Sequence, residues 1–113
     1  MRQDPRGSLW SQTIATIPDT EAAQHVGQQA TVEGTVVKVF TSKNVNTFLN
    51  FGAAYPNQTF TGWIQKDSPL AADTSLQTLE GKRMRISGTI NLYRGKPEIR
   101  LTTKDQIQIE DED

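Results

Sequence analysis

The chain has 113 residues, of which 35% are hydrophobic and 22% charged; this suits one small folded domain and excludes two domains with ordinary cores. The formal net charge is -1 because four acidic residues end the sequence, whereas basic residues outnumber acidic ones between Gly27 and Ile109. The absence of cysteine excludes a disulfide framework, a thiolate zinc site and a cysteine nucleophile, and no apolar run reaches the roughly 18 residues of a membrane-spanning helix.

The start of the chain predicts little regular structure. Residues 1–13 are polar and show neither helical nor strand periodicity, so we assign them to a flexible segment. The following stretch "IPDTEAAQHVG" predicts a short helix, with Asp19 or Thr20 as its N-cap and Gly27 at its end.

A long strand is predicted from Gln29 to Phe40. Its inward-facing positions change parity, because Val32 belongs to one alternating set and Val37 and Val39 to the other. Such a change needs a bulge or a sharp coil, which Gly34 would permit. We therefore expect one strand that serves two sheets.

Two shorter strands each place an aromatic ring on the face that alternation assigns to polar residues. In "TFLNFG" Leu49 and Phe51 share the core-facing side, and Phe48 points the other way. In "TFTGWI" Trp63 likewise opposes Phe60 and its alternate neighbours. The two rings predict either a platform on which nucleic-acid bases stack or a second small core under the loops.

The second half of the sequence predicts a helical connection and two further strands. Residues 66–80 lose the alternation, with three leucines as anchors, and strands follow in "KRMRISGTI" and "EIRL" around the turn "NLYRGKP". Arg83 and Arg85 alternate on the first of these strands and Arg100 lies on the second. They predict either a cationic stripe that follows phosphates or solvated arginines paired with Glu98.

The order of elements indicates the fold class. We predict an all-β protein: a five-stranded Greek-key OB barrel with a short N-terminal helix and a helical connection between strands three and four. The competing architecture is a meander sandwich. The domain would extend over residues 14–109, with an acidic tail at residues 110–113.

Three segments in this order, "HVGQQATVEGTVVKV", "TFLNFGAAYPNQTFTGWI" and "LEGKRMRISGTINLYRGKPEIRL", resemble the small bacterial OB-fold domains described as nucleic-acid-binding. The resemblance covers roughly residues 19–109. It implies a binding face on the outer sides of strands two and three and on the two loops beside them. The implied contacts are Phe48, Asn50, Thr61 and Trp63 on the strands, Lys43 and Asn44 in the first loop, and Tyr93, Arg94 and Lys96 in the second.

These observations lead to a functional hypothesis. We predict a non-enzymatic module that binds single-stranded DNA or RNA by aromatic stacking and backbone contacts, without a cofactor. A protein- or peptide-interaction domain, or one associated with the cell envelope, is the alternative. An enzyme ranks last, because His25 is the only histidine and no paired carboxylates or phosphate-binding loop accompany it. The compartment is left open, either the cytoplasm or an exported location after removal of a signal.

Overall fold

A computed structural model describes residues 16–72 and 74–110. The predicted flexible segment and the last three residues of the predicted acidic tail lie outside these ranges. The described residues form seven strands and four 3₁₀ helices. The strands are β1 Thr16–Pro18, β2 Gln29–Thr41, β3 Thr47–Phe51, β4 Phe60–Ile64, β5 Arg83–Tyr93, β6 Lys96–Arg100 and β7 Ile107–Ile109, and the 3₁₀ helices are Asp19–His25, Pro69–Ala72, Thr74–Leu79 and Lys104–Gln106.

Five of these strands pair in a closed ring. Their order is β2-β3-β4-β6-β5, and β5 pairs again with β2; β1 adds to β2 in parallel and β7 adds to β5 in an antiparallel pair. β4 and β6 are parallel, and the other four pairs in the ring are antiparallel. The predicted all-β class is confirmed, and the two short outer strands extend the five-strand pattern.

The inward side chains fill the ring with an apolar core. The predicted inward sets of β3 and β4 are confirmed: Leu49, Phe51, Phe60 and Ile64 are fully buried, and the Phe51 and Phe60 rings meet edge to face at 5.2 Å. The leucine anchors of the helical connection are also buried, at positions 70, 76 and 79. The core therefore fixes which sides of β3 and β4 face outward.

β2 changes face at a bulge three residues after the predicted position. Residues 29–35 pair with β5 and residues from Val36 onwards with β3, so the strand does serve two sets of neighbours. The register shifts between Val36 and Lys38, which leaves Val37 without a partner and 44% exposed. The prediction that Val37 faces inward is therefore wrong, because the bulge places Val36 in the core instead.

Gly34 has a packing role rather than the predicted bulge. A Cβ at this position would lie 2.7 Å from Asp19 Oδ1 and 3.0 Å from the Phe51 ring. The 3₁₀ helix that begins at Asp19 can therefore rest directly on β2. Asp19 is not an N-cap, since Pro18 occupies that position, and its carboxylate instead accepts a hydrogen bond from the Thr59 hydroxyl.

Candidate functional site

A row of large side chains crosses the outer face of the ring. Phe48 of β3 lies opposite Phe40 of β2 and opposite Trp63 of β4, and Trp63 lies opposite Arg100 of β6. Partners in register project to the same face of a sheet, so the four side chains are neighbours. The Phe40 and Phe48 rings stack with centroids 6.3 Å apart and planes 26° apart, and the Arg100 guanidinium lies 5.5 Å from the centre of the Trp63 ring.

A row of polar side chains runs beside the first, two residues away from it on each strand. It consists of Lys38, Asn50, Thr61 and Glu98, again in register. Asn50 and Thr61 are buried although they face outward, and the Thr61 hydroxyl donates a hydrogen bond to Asn50 Oδ1 at 3.1 Å. The two rows give the outer face an aromatic half and a polar half.

Two loops enclose this face and create a groove of about 430 Å³. One wall comes from the loop between β3 and β4, which contributes Tyr55 and Gln58, and the other from the hairpin that joins β5 and β6. The Lys96 ammonium donates a hydrogen bond to the Gln58 main-chain oxygen at 3.2 Å and so connects the two walls. The volume lies in the range of about 300–1,000 Å³ that is usual for small-ligand sites.

The second wall is a tight hairpin. Tyr93 pairs with Lys96, so only Arg94 and Gly95 form the turn, and both have positive φ angles of 53° and 81°. Two such residues make the turn type whose twist matches the paired strands, and Gly95 adopts this conformation without strain. β5 therefore continues three residues past the predicted end at Ile90, and Tyr93 and Lys96 are strand ends rather than loop residues. Pro97 fits in β6 because the pairing with β4 begins only at Glu98.

The groove combines three cations with one carboxylate. Lys38, Arg94 and Lys96 line it, and the Arg94 guanidinium lies 5.2 Å from the centre of the Tyr93 ring. Glu98 also lines it, half-buried, and this burial raises the pKa of the Glu98 carboxyl above its ordinary value. The side chains that line the groove therefore carry a net positive charge, with one acceptor in the polar half.

The structure brings six of the predicted contact residues together in this groove: Phe48, Asn50, Thr61, Tyr93, Arg94 and Lys96. Trp63 lies on the same face, half-buried beside Phe48 and close to Arg100, but does not line the groove. Lys43 is exposed in the loop between β2 and β3 and also lies outside it.

Arg83 and Arg85 are on another part of the ring, where they pair with Glu33 and Glu110. The four nitrogen–oxygen distances are between 3.3 and 3.8 Å. The hydrogen bond between the two carboxyl groups lowers the pKa of Glu33 and raises that of Glu110. Glu110, the first residue of the predicted acidic tail, also donates its main-chain N–H to the Arg83 oxygen at 2.9 Å.

Five further groove residues are not predicted as contacts from the sequence, namely Lys38, Phe40, Tyr55, Gln58 and Glu98, and Ala54 and Pro97 complete the lining. The sequence pattern could have indicated Lys38 and Phe40, because they alternate at the end of β2. The register of a β2–β3 pair would place them beside Asn50 and Phe48. Tyr55 and Gln58 lie in a loop without periodicity, so the sequence gives no sign of their direction. Gln58 is buried, and its side-chain Oε1 has no hydrogen-bond partner.

The described residues give little support to a metal site or to a site built on the single histidine. His25 is hydrogen-bonded through Nδ1 to Gln28 Oε1 at 3.1 Å. Within residues 16–72 and 74–110 no group of three or more His, Asp or Glu side chains could hold a metal ion. The same part of the chain contains no helix that is both long and apolar enough to cross a membrane.

Fold and site together define a small all-β protein with a ring of five strands and an aromatic, cationic groove on its outer face. No family model matches the chain, and no curated protein matches it. Among solved structures it is similar to a putative aspartyl-tRNA synthetase from Leishmania major Friedlin, with a TM-score of 0.57 and 8% identity. The match covers 88% of this chain but 21% of the synthetase chain, so this likeness concerns the fold of one part of a much longer protein. It is compatible with an OB-like fold.

Proposed function

We propose that the ring is an OB barrel and that its groove binds single-stranded nucleic acid without catalysing a reaction. The observation that carries this proposal is the stacked pair Phe40 and Phe48, which lines a groove bordered by cationic side chains. The strand order supports the first part. OB barrels use the outer face of strands two and three and the loops beside them, and the groove lies on β3 and β4, the second and third ring strands in sequence, next to the β5–β6 hairpin.

Stacking on Phe48 is the main proposed contact. Every base has a π face, so a partly exposed ring receives any base, with a contribution of about 1–3 kcal/mol per base. Phe40 extends the platform, since its ring lies beside that of Phe48 and is 51% exposed. Asn50 and Thr61 lie next to the platform and offer hydrogen-bonding groups, and Trp63 extends the same face.

The phosphate backbone of the bound nucleic acid would follow the cationic side chains. Lys38, Arg94 and Lys96 line the groove, and Lys43 lies in the neighbouring loop that OB barrels use. Three groove cations neutralise few phosphates, so we expect weak to moderate affinity that falls with salt. Arg83 and Arg85 are left out of this contact set because Glu33 and Glu110 already pair with them.

The similar solved structure supports the ligand class only indirectly. That structure is of a putative aspartyl-tRNA synthetase, and the similarity to it is one of fold. It gives a reason to test RNA beside DNA.

The proposal is tested with fluorescently labelled nine-nucleotide single strands of DNA and RNA, titrated with the protein at low salt and followed by anisotropy. We expect binding that Phe48→Ala weakens by about 5- to 150-fold, the loss of one stacked base. Val26→Ala serves as control, because Val26 is an exposed apolar side chain that does not line the groove. Absence of binding by the folded protein up to high micromolar concentration would rule the proposal out.

Salt distinguishes a nucleic acid from a peptide partner in the same groove. For three cations and about 0.7 released counterions per phosphate of a single strand, the logarithm of the association constant should fall with a slope of about -2 against the logarithm of salt concentration. A peptide held by the aromatic rings would retain most of its affinity, and that result would favour the protein-interaction alternative.

A further inference from the structure

The polar half of the groove contains two acceptors that the protein leaves unmatched. Gln58 is 6% exposed, and its Oε1 atom is buried without a hydrogen bond. A buried acceptor without a donor costs about 1–3 kcal/mol. Gln58 lines the groove, so a rotation of its side-chain amide would present this acceptor to a ligand with N–H groups.

Glu98 is the second acceptor. Its carboxylate is half-buried in the same lining and is placed beside Thr61 by the pairing of β4 with β6. No cation of the described residues forms an ion pair with it, and the Lys96 ammonium is directed to the Gln58 main-chain oxygen. The partly exposed Glu98 carboxylate and, after rotation of its amide, Gln58 thus offer two acceptors on one side of a platform that holds a flat ring.

We infer that the groove selects guanine among the bases of a single strand, with Glu98 and Gln58 accepting the hydrogen bonds of its Watson–Crick edge. This inference rests on the proposed function, which supplies the stacked base. Guanine presents two adjacent donors, the ring N1–H and the exocyclic amine, and a carboxylate can accept two parallel N–H groups at once. With its amide rotated into the groove, Gln58 accepts the second hydrogen of the amine or a donor of the neighbouring base.

The other bases match these acceptors less well. Adenine and cytosine present one amine next to an unprotonated ring nitrogen, whose lone pair would face the carboxylate. Thymine and uracil present one N–H between two carbonyl oxygens, which a carboxylate repels. A site built around acceptors rejects such bases because its own polar groups stay unpaired in the complex.

The test uses nine-nucleotide thymidine strands whose central position is thymine, guanine or inosine. Inosine keeps the shape and the ring N–H of guanine but lacks the amine. We expect the protein to bind the guanine strand about tenfold more tightly than the all-thymidine strand, and inosine to lose most of this gain.

Two variants identify the residues responsible. Glu98→Gln should reduce the guanine-to-thymidine affinity ratio to within about twofold, because an amide presents donors as well as an acceptor and cannot accept both N–H groups. Gln58→Met, of similar size and without the strong acceptor, should reduce the ratio partly. Glu21→Gln is the matched control, since it removes the same charge from an exposed position outside the groove and should keep the ratio.

The outcomes separate the two proposals. Equal affinity of the unmodified protein for all three strands overturns the guanine preference and leaves single-strand binding in place. A preference that persists in folded Glu98→Gln overturns the role of the carboxylate. Failure to bind any of the strands overturns the proposed function itself.

Discussion

Phe40 and Phe48 illustrate how a large apolar ring is retained on the outer face of a strand. Each residue lies opposite the other on neighbouring antiparallel strands, where side chains are close enough to cover part of each other. Stacking at 6.3 Å shields the shared surfaces and leaves the remaining faces open. Each ring is therefore partly covered by the other and still partly open to a ligand.

The contribution of Phe40 can be measured directly. Phe40→Ala should weaken oligonucleotide binding by about three- to tenfold, less than the loss at Phe48, because it removes the edge of the platform and the partner that orients Phe48. The side chain is 51% exposed, so the melting temperature should change little. Unchanged affinity in the anisotropy titration would restrict the platform to Phe48.

Gly52 provides a second test at this scale, in the turn that leaves β3 for the groove wall. It has a φ angle of +81°, and a Cβ there would lie 2.6 Å from the Thr59 hydroxyl oxygen. Gly81 has a similar φ angle of +88° but nothing within 4 Å of such a Cβ. Gly81→Ala should therefore destabilise the fold by about 1–2 kcal/mol, the strain of the backbone alone.

Gly52→Ala should lose a further 1–3 kcal/mol or so, because Thr59 must move and its hydroxyl contacts Asp19 and the Phe51 main-chain oxygen. Urea denaturation followed by tryptophan fluorescence gives both values. Equal losses in the two variants would contradict the proposed crowding at Gly52.

The strands show which parts of the fold their sequence pattern can predict. Alternation in β3 and β4 identifies the core residues and, by exclusion, the outward position of Phe48, because each strand has one apolar face. The bulge in β2 could not be located in this way. Val36 and Val37 are the same residue type, so only the register with β3 decides that Val36 is buried and Val37 exposed.

The candidate site can also be predicted from the sequence only in part. The alternation and the family resemblance predict the groove residues that lie on strands or at the hairpin, since their direction follows from register. The direction of Gln58 could not be predicted, because this residue belongs to a nonperiodic loop. The pairing of Arg83 and Arg85 with Glu110 could not be predicted either, because Glu110 lies after β7 and is distant in sequence. Such contacts depend on tertiary structure, which a single sequence does not display.

The strand pair β2 and β5 gives a prediction for these arginines. Arg83→Gln with Arg85→Gln should change oligonucleotide affinity by less than about twofold when the titration is made at about 0.15 M salt, because this salt concentration screens charges outside the groove from the ligand. The fold should melt at a lower temperature, since Glu33 and Glu110 would lose both cationic partners.

The matched double variant Arg94→Gln with Lys96→Gln removes the same charge from the groove and should weaken binding several-fold. A larger loss of affinity in the first pair than in the second would restore the predicted cationic stripe.

For the molecule as a whole, residues that equip the groove for binding lower the stability of the fold. The buried Gln58 Oε1 has no hydrogen bond, and the half-buried Glu98 carboxylate has no ion pair, within the described part of the chain. Both features cost stability, so a fold selected for stability alone would not contain them. Functional sites commonly reduce stability in this way, and neutral replacements there increase it. The pH dependence of unfolding makes this trade-off measurable.

Glu98→Gln should raise the melting temperature at pH 7. Burial raises the pKa of Glu98 in the folded state above the ordinary value of 4.5, so the folded protein retains this proton to higher pH than the unfolded chain does. The contribution of Glu98 to stability is therefore fully present below pH 4.5 and declines as pH rises through the folded-state pKa. The gain from Glu98→Gln should accordingly be greatest at neutral pH and shrink towards pH 4.

Thermal unfolding of both proteins at pH 4 and pH 7 measures this difference, and the other titrating groups largely cancel because both chains contain them. Glu21→Gln, which removes an exposed carboxylate outside the groove, is the matched control for the loss of one charge. A gain at pH 7 that accompanies the loss of guanine preference would assign both effects to one carboxylate, kept in the groove at the expense of stability. A lower melting temperature of Glu98→Gln at pH 7 would instead mean that Glu98 stabilises the free protein, and would remove the reason to treat it as an acceptor held for a ligand.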